Sequence, residues 1–311
     1  MASITPAMIK ELRERTSAGM SDCKNALVEA DGDLDKAVEV ILKKGLVKAA
    51  SRAGKVAAEG EVATWVSPDG KKGVIVEVNC QTDFVSRGDD FKGFVQAVLG
   101  VAQKLTKGKD LGAEMYPGSD KTIDHVRQEL VGRIGENIVV RRWDALEAKG
   151  ANGVVVSYVH MGGKLAVLVE AEGANGEAKS NPDFKAFVEN CAMQIAAMNP
   201  IVVSKEQVAA ADTEKQKEIF AAQLKEEGKP EAAWPKIIEG KVAKWFTEVT
   251  LLGQDNVWEQ GAGSVDKVRG ELGKKLGGDV KVHRFIRFGL GEGIEKKVEN
   301  LADEVAKTIG A

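Results

Sequence analysis

Apolar residues along this chain first alternate and then recur at helical spacing, and they do so twice in superimposable order. A shift of 93 places Val74, Val76, Glu77, Asp90, Phe91, Lys92, Phe94 and Val95 on Val167, Val169, Glu170, Asp183, Phe184, Lys185, Phe187 and Val188. In the first copy Val62, Thr64 and Val66 alternate, Pro68, Asp69 and Gly70 supply a turn, and Val74, Val76 and Val78 alternate back, which reads as a β-hairpin. Phe91, Phe94, Val95, Val98, Leu99 and Ala102 then follow the period of a helix, matched in the second copy by Phe184, Phe187, Val188, Cys191, Ala192 and Ile195. Both copies close alike. Leu130, Ile134, Gly135, Ile138, Val140 and Arg142 fall on Leu272, Leu276, Gly277, Val280, Val282 and Arg284 at an offset of 142, a helix, a glycine stop and a last strand. The pattern predicts an α+β fold with a duplicated β-β-α-α-β core.

The offset grows from 93 to 142, so the second copy carries an insertion, placed at 200–262. Ser204 and Gln207 read as a capping box before Val208, Ala211, Ile219, Ala222 and Leu224. Gly228 and Pro230 break the chain, and Ile237, Ile238, Val242, Trp245 and Phe246 form a second helix, so the insertion is an antiparallel helical hairpin. Its apolar seam serves either another surface or its own core. Ahead of the core, residues 5–45 read as three short helices. Thr5 caps the first, with Pro6 at its first position and Met8, Ile9 and Leu12 on one face. Ser21 opens the second over Ala26, Leu27 and Ala30. Leu34, Ala37, Val38, Ile41 and Leu42 mark the third, which Gly45 ends. The expected divisions are 1–54 (helical module and linker), 55–145 (first core subdomain), 146–199 with 263–290 (second core subdomain), 200–262 (hairpin) and 291–311 (C-terminal helix).

Composition narrows the chemistry. With 311 residues, 29% charged, 5% aromatic and a net charge of -3, the chain offers no global field for phosphate backbones, although Lys43, Lys44, Lys48, Arg52 and Lys55 form a local basic stretch. Neither a charged apolar leader nor a membrane-length apolar run is present, so a cytoplasmic protein with no nucleic-acid or membrane partner is expected. Cys23, Cys80 and Cys191 are scattered and odd in number, which suits reduced buried thiols, and His125, His160 and His283 show no ligand spacing with them, so no metal is expected. A P-loop is lacking, and Gly289, Gly291 and Gly293 do not have dinucleotide spacing. Cys80 lies just past a strand, but no histidine is placed to activate it. The expectation is a protein that is no enzyme and needs no cofactor.

One segment belongs to the first copy alone. Asn79, Gln81, Thr82 and Asp83 are turn formers, so Phe84 and Val85 are expected at a turn on the rim of the sheet. Phe84 there is either a contact residue for a partner's pocket or a core residue beneath Phe91.

Longer strings carry a resemblance. Leu12-Arg13-Glu14-Arg15-Thr16, Ala18-Gly19-Met20, Asp22-Cys23-Lys24-Asn25-Ala26-Leu27 and Gly32-Asp33 look like the N-terminal signature of the translation elongation factor Ts family. Glu77-Val78-Asn79-Cys80-Gln81-Thr82-Asp83-Phe84-Val85 resembles its second signature, and Ile134-Gly135-Glu136-Asn137, Arg287-Phe288 and Gly291-Glu292-Gly293-Ile294-Glu295 are similar to further segments in the family's order. The resemblance implies a guanine-nucleotide exchange factor for elongation factor Tu, binding its GDP-bound and nucleotide-free forms. It also implies a ubiquitin-associated-like N-terminal module, two related core subdomains, a protruding coiled coil and a C-terminal helical module. Asp83 and Phe84, within Thr82 to Val85, would then disturb the partner's magnesium and phosphate site. Arg13, Met20 and Lys24 would be contacts of the N-terminal module, Ile134, Gly135 and His160 contacts of the core, and Ile294, Val298 and Leu301 contacts of the last helix. Family members usually carry glycine and methionine where Ser17 and Ser21 stand, and often a Pro-Phe pair where Asp255 and Asn256 follow Gln254. The competing reading is a non-exchange binding scaffold with a recognition module at its N-terminus. A homodimer or 2:2 complex through the hairpin stays open.

Overall fold

The computed structural model describes residues 4–16, 18–259 and 261–295. The chain is α+β, with two small antiparallel three-stranded sheets. Helices α1 (Pro6–Thr16), α2 (Met20–Glu29) and α3 (Leu34–Arg52) precede the first repeat, which runs β1 (Glu59–Val66), β2 (Lys72–Cys80), α4 (Asp83–Arg87), α5 (Asp89–Ala102), α6 (Ile123–Ile134) and β3 (Ile138–Glu147). The second repeat follows with β4 (Gly153–His160), β5 (Leu165–Glu172), α7 (Pro182–Met198), the inserted α8 (Ala210–Glu226) and α9 (Trp234–Val249), then α10 (Val265–Lys275) and β6 (Lys281–Gly289). The sheets have the same order, β1-β2-β3 and β4-β5-β6.

The periodic residues are core. Phe91, Phe94, Val95, Val98, Leu99 and Ala102 are buried along α5, and Phe184, Phe187, Val188, Cys191, Ala192 and Ile195 along α7. The glycine stops also agree, since Gly135 and Gly277 follow α6 and α10 with φ of 85° and 74°, a conformation that costs other residues a steric penalty. Thr5 accepts the Met8 N–H as a cap, and Asp33 caps α3 by accepting from Asp35 and Lys36.

Four local expectations are corrected. Gly45 does not end α3, which continues to Arg52, because a glycine in a helix can serve close helix packing as well as termination. A Cβ on Gly132 of α6 would lie 2.5 Å from the Gly45 Cα, so the two helices cross where both lack side chains. Ser21 does not open α2; Gly19 stands at its N-cap without a side-chain bond. Ser204 and Gln207 do not cap α8. Ser204 precedes a single 3-10 turn that ends at Gln207, and the Gln207 Oε1 accepts from the Val203 N–H instead. Asn79 is no turn residue, since it lies buried in β2. Within the hairpin Ala211, Ile219 and Ala222 face solvent, while Leu224 and Val242 are buried.

A buried carboxylate organises each repeat. Glu77 in β2 and Glu170 in β5 are 0% and 1% exposed. Arg142 Nε donates to Glu77 Oε2, and Arg284 Nε donates to Glu170 Oε2. The remaining oxygens accept backbone N–H groups, Gly291 to Glu77 Oε1 at 2.8 Å and Lys149 to Glu170 Oε1 at 3.1 Å. Lys149 and Gly291 are equivalent at the offset of 142. The chain leaving the first repeat therefore closes the glutamate of the second, and the chain leaving the second closes that of the first. In keeping with this exchange, the described residues fall into two compact units that do not follow the repeats: one takes those within 4–63, 76–143 and 289–295, the other those within 64–75 and 144–288.

Burial opposes the charge on Glu77, but the Gly291 N–H, Arg142, Arg141 and Asn79 together outweigh it and hold the carboxyl below its ordinary value of 4.5. A depressed folded value means the stabilisation is complete above the ordinary value and is lost as pH falls through the depressed one. Glu77→Gln is expected to lower stability at neutral pH by about 3 kcal/mol or more, by leaving two arginines poorly paired, and to flatten the acid loss of stability below about pH 4.5. Urea unfolding across a pH series checks both. Packing at the glycine crossing predicts opposite signs for two similar changes. Gly132→Ala should destabilise by about 1–2 kcal/mol through overpacking, whereas Gly100→Ala in α5, where an added Cβ meets nothing within 4 Å, should stabilise by up to about 1 kcal/mol. Denaturation midpoints of the two variants read the difference.

Candidate functional site

The rim segment is a short helix rather than a plain turn. Thr82 stands at the N-cap of α4, and its Oγ1 accepts the Val85 N–H at 3.5 Å; Ser86 Oγ donates to the Asp83 carbonyl, and Gly88 ends the helix. None of the five residues is buried, and Phe84 is 83% exposed. Phe84 therefore does not pack beneath Phe91. Asp83 is not a free carboxylate, because Arg87 Nη2 donates to its Oδ2 at 2.7 Å. Cys80, at the end of β2, is buried with its thiol donating to the Thr82 carbonyl, an enclosed position for a nucleophile.

A helix this short and this exposed cannot hold itself, since one and a half turns do not repay the cost of helix nucleation. It is held from the loop after α6. Glu136 Oε2 accepts the Thr82 N–H at 3.1 Å and Glu136 Oε1 accepts the Thr82 hydroxyl at 2.8 Å. Gln81 Oε1 accepts the Asn137 N–H at 2.8 Å, while the Asn137 amide donates to the Lys55 and Ala53 carbonyls. Ile134 and Gly135 thus adjoin the same clamp that fixes Thr82 to Val85.

The second repeat builds the same turn with different contents. At the offset of 93, Thr82, Phe84 and Val85 fall on Asn175, Glu177 and Ala178. Asn175 Oδ1 accepts the Ala178 N–H at 2.8 Å, so the capped turn is common to both copies. What the first copy alone projects is an aromatic ring, where its twin projects the exposed carboxylate of Glu177.

Comparison with known proteins bears on these segments. The family model described as Elongation factor TS matches residues 81–292, from Gln81 beside the clamp to Glu292 beyond β6. The chain is 46% identical over 310 residues to Elongation factor Ts of Clostridium perfringens, covering 99% of each. It is 47% identical over 307 residues to Elongation factor Ts of a Nitratiruptor species, covering 98% of each.

The chain belongs to the elongation factor Ts family.

It is accordingly a translation elongation factor of protein biosynthesis. The remaining predicted contacts of this family member are placed as follows. Arg13 on α1 and Met20 and Lys24 on α2 are exposed, the latter two one turn apart on one face. Ile134 is half-buried at the end of α6, followed by Gly135 in its left-handed conformation. These residues and α4 lie in one compact unit; His160 lies in the other, exposed at the end of β4, with its Nδ1 2.9 Å from the Tyr158 hydroxyl. Ile294 is half-buried just past the turn that follows β6, not in a helix, and Val298 and Leu301 lie outside the described residues. Sequence reasoning passed over Val159 and Met161, which flank His160 and are 44% and 74% exposed. The sequence offered only their position beside Gly162-Gly163, a turn signal that puts neighbouring residues at the surface. No helix among the described residues is long and apolar enough to cross a membrane.

If Phe84 has no packing role in its own chain, Phe84→Ala should change the folding free energy by no more than about 0.5 kcal/mol. Equilibrium urea unfolding measures this, and a loss of about 3 kcal/mol would assign the ring to the core.

Proposed function

We propose that the chain is a guanine-nucleotide exchange factor for elongation factor Tu and that Phe84 acts as a wedge at the partner's magnesium and phosphate site. The observation that carries this reading is the exposed ring of Phe84 on an otherwise unburied helix, present in one repeat and replaced by Glu177 in the other. A side chain that contributes nothing to its own core, on a backbone fixed by polar bonds, fits insertion into another surface. Family membership supports the choice of partner.

The energetics set the division of labour. A GTPase that holds its nucleotide at nanomolar affinity has about 12 kcal/mol of binding free energy. Factor and nucleotide must weaken one another equally, so release proceeds through a ternary state in which both are bound less tightly. Burying one phenylalanine supplies at most about 3 kcal/mol, roughly a hundredfold. Phe84 is therefore the local disturbance, and other surfaces supply the affinity that brings it there. We assign that docking to Arg13, Met20 and Lys24, to Ile134 and Gly135, to His160, and to Ile294 with Val298 and Leu301. Asp83 leaves Arg87 and hydrogen-bonds to the partner as the ring enters, which exchanges one charge-assisted bond for another. No covalent step and no resident cofactor are involved, and the factor acts on both the GDP-bound and nucleotide-free partner.

Stopped-flow release of labelled GDP from elongation factor Tu tests the wedge. At saturating factor, Phe84→Ala is expected to slow release by about ten- to a hundredfold while the complex still forms. An unchanged release rate with intact binding contradicts it.

A further inference from the structure

We propose that Glu136 is a positioning residue for exchange: it grips the entrance of α4 through Thr82 and so fixes the direction in which Phe84 leaves the surface. The inference rests on the wedge reading of Phe84. Thr82 gives Glu136 both of its donors, the backbone N–H to one carboxylate oxygen and the hydroxyl to the other. The same hydroxyl oxygen accepts the Val85 N–H, so its bond to Glu136 orients the cap of the helix that carries the ring. The residues are 54 positions apart, and the grip is tightened by Asn137, buried next to Glu136 and bonded to Gln81 next to Thr82.

The second repeat shows what the turn looks like without this grip. The position equivalent to Glu136 at the offset of 142 is Gly278, which has no carboxylate to offer and where an added Cβ would sit a tight 3.1 Å from the Ala174 Cβ. There Asn175, the equivalent of Thr82, caps the Ala178 N–H and reaches the loop after α10 through its Nδ2, which donates to the Leu276 carbonyl at 3.3 Å, with no carboxylate involved. The carboxylate clamp and the aromatic ring therefore occur together in one repeat and are missing together from the other. A turn needing only to close has a cap; a turn that must present a large apolar group at a fixed angle has a cap and a clamp. Holding the ring before the encounter lowers the ordering cost of inserting it.

The test uses the full-length factor with Glu136→Ala, Glu136→Gln, Phe84→Ala and the double variant Glu136→Ala/Phe84→Ala. GDP release from elongation factor Tu, affinity for the partner, and amide hydrogen exchange of residues 83–87 in the free factor are read for each. Glu136→Ala is expected to slow release by about tenfold at saturating factor, with affinity changed less than about threefold. Glu136→Gln keeps an oxygen for the Thr82 N–H and should recover most of the rate. The double variant should release GDP no more slowly than Phe84→Ala alone, because the clamp acts through the ring. Amides of α4 should exchange at least about tenfold faster in Glu136→Ala. Rate losses that multiply in the double variant, or weakened affinity with an unchanged release rate, overturn the positioning role. Unchanged α4 exchange in Glu136→Ala overturns it whatever Phe84 does. If Phe84→Ala releases GDP at the normal rate, the wedge reading fails by itself, and the exchange data still decide the clamp.

Discussion

A phenylalanine left in water gains no stability from the protein that carries it, so its backbone must be fixed by something other than burial of its own ring. In this chain that constraint is met by polar bonds. Thr82 is the shared node: it caps α4, donates twice to Glu136, and lies two residues past the end of β2. Each bond alone is worth about 1 kcal/mol, somewhat more where the carboxylate is the acceptor. Together they add to the partial burial of Asp83, Val85 and Ser86 in ordering a five-residue helix of which no residue is fully buried.

The clamp in turn needs a firm floor. β2 is buried almost along its whole length, and Glu77 within it is held by Arg141, Arg142 and the Gly291 N–H. A buried carboxylate is costly unless every lone pair finds a donor, and an incomplete set would be worse than an apolar core. Both repeats complete the set by taking one donor from the tail of the other repeat's last strand. The two halves are thus similar in order and interdependent in their polar interiors, and one of them carries an exposed aromatic ring at the rim of its sheet.

Much of the fold was legible in the sequence because it rests on periodicity. The two hairpins, the helices of Phe91 and Phe184, and the glycine stops at Gly135 and Gly277 follow from local patterns that both copies repeat. Three features were not legible for identifiable reasons. Gly45 reads as a terminator, since sequence cannot tell a glycine that ends a helix from one that lets Gly132 approach. Ser204 and Gln207 have the letters of a capping box, but Gln207 finds a better partner in Val203. The bond between Thr82 and Glu136 spans 54 residues and leaves no periodic trace. At the site, the first copy's private segment pointed to Phe84, yet its exposure over burial against Phe91 could not be read from spacing. Only tertiary structure reveals that the capped turn itself is common to both repeats and that its projected side chain is what differs.

The most direct measurement is a structure of the complex with elongation factor Tu. The account predicts that the Phe84 ring is buried in the GTPase beside its magnesium and phosphate site, with both bonds from Thr82 to Glu136 retained. A complex in which Phe84 stays in solvent, or folds back onto Phe91 while α4 lies outside the interface, contradicts it.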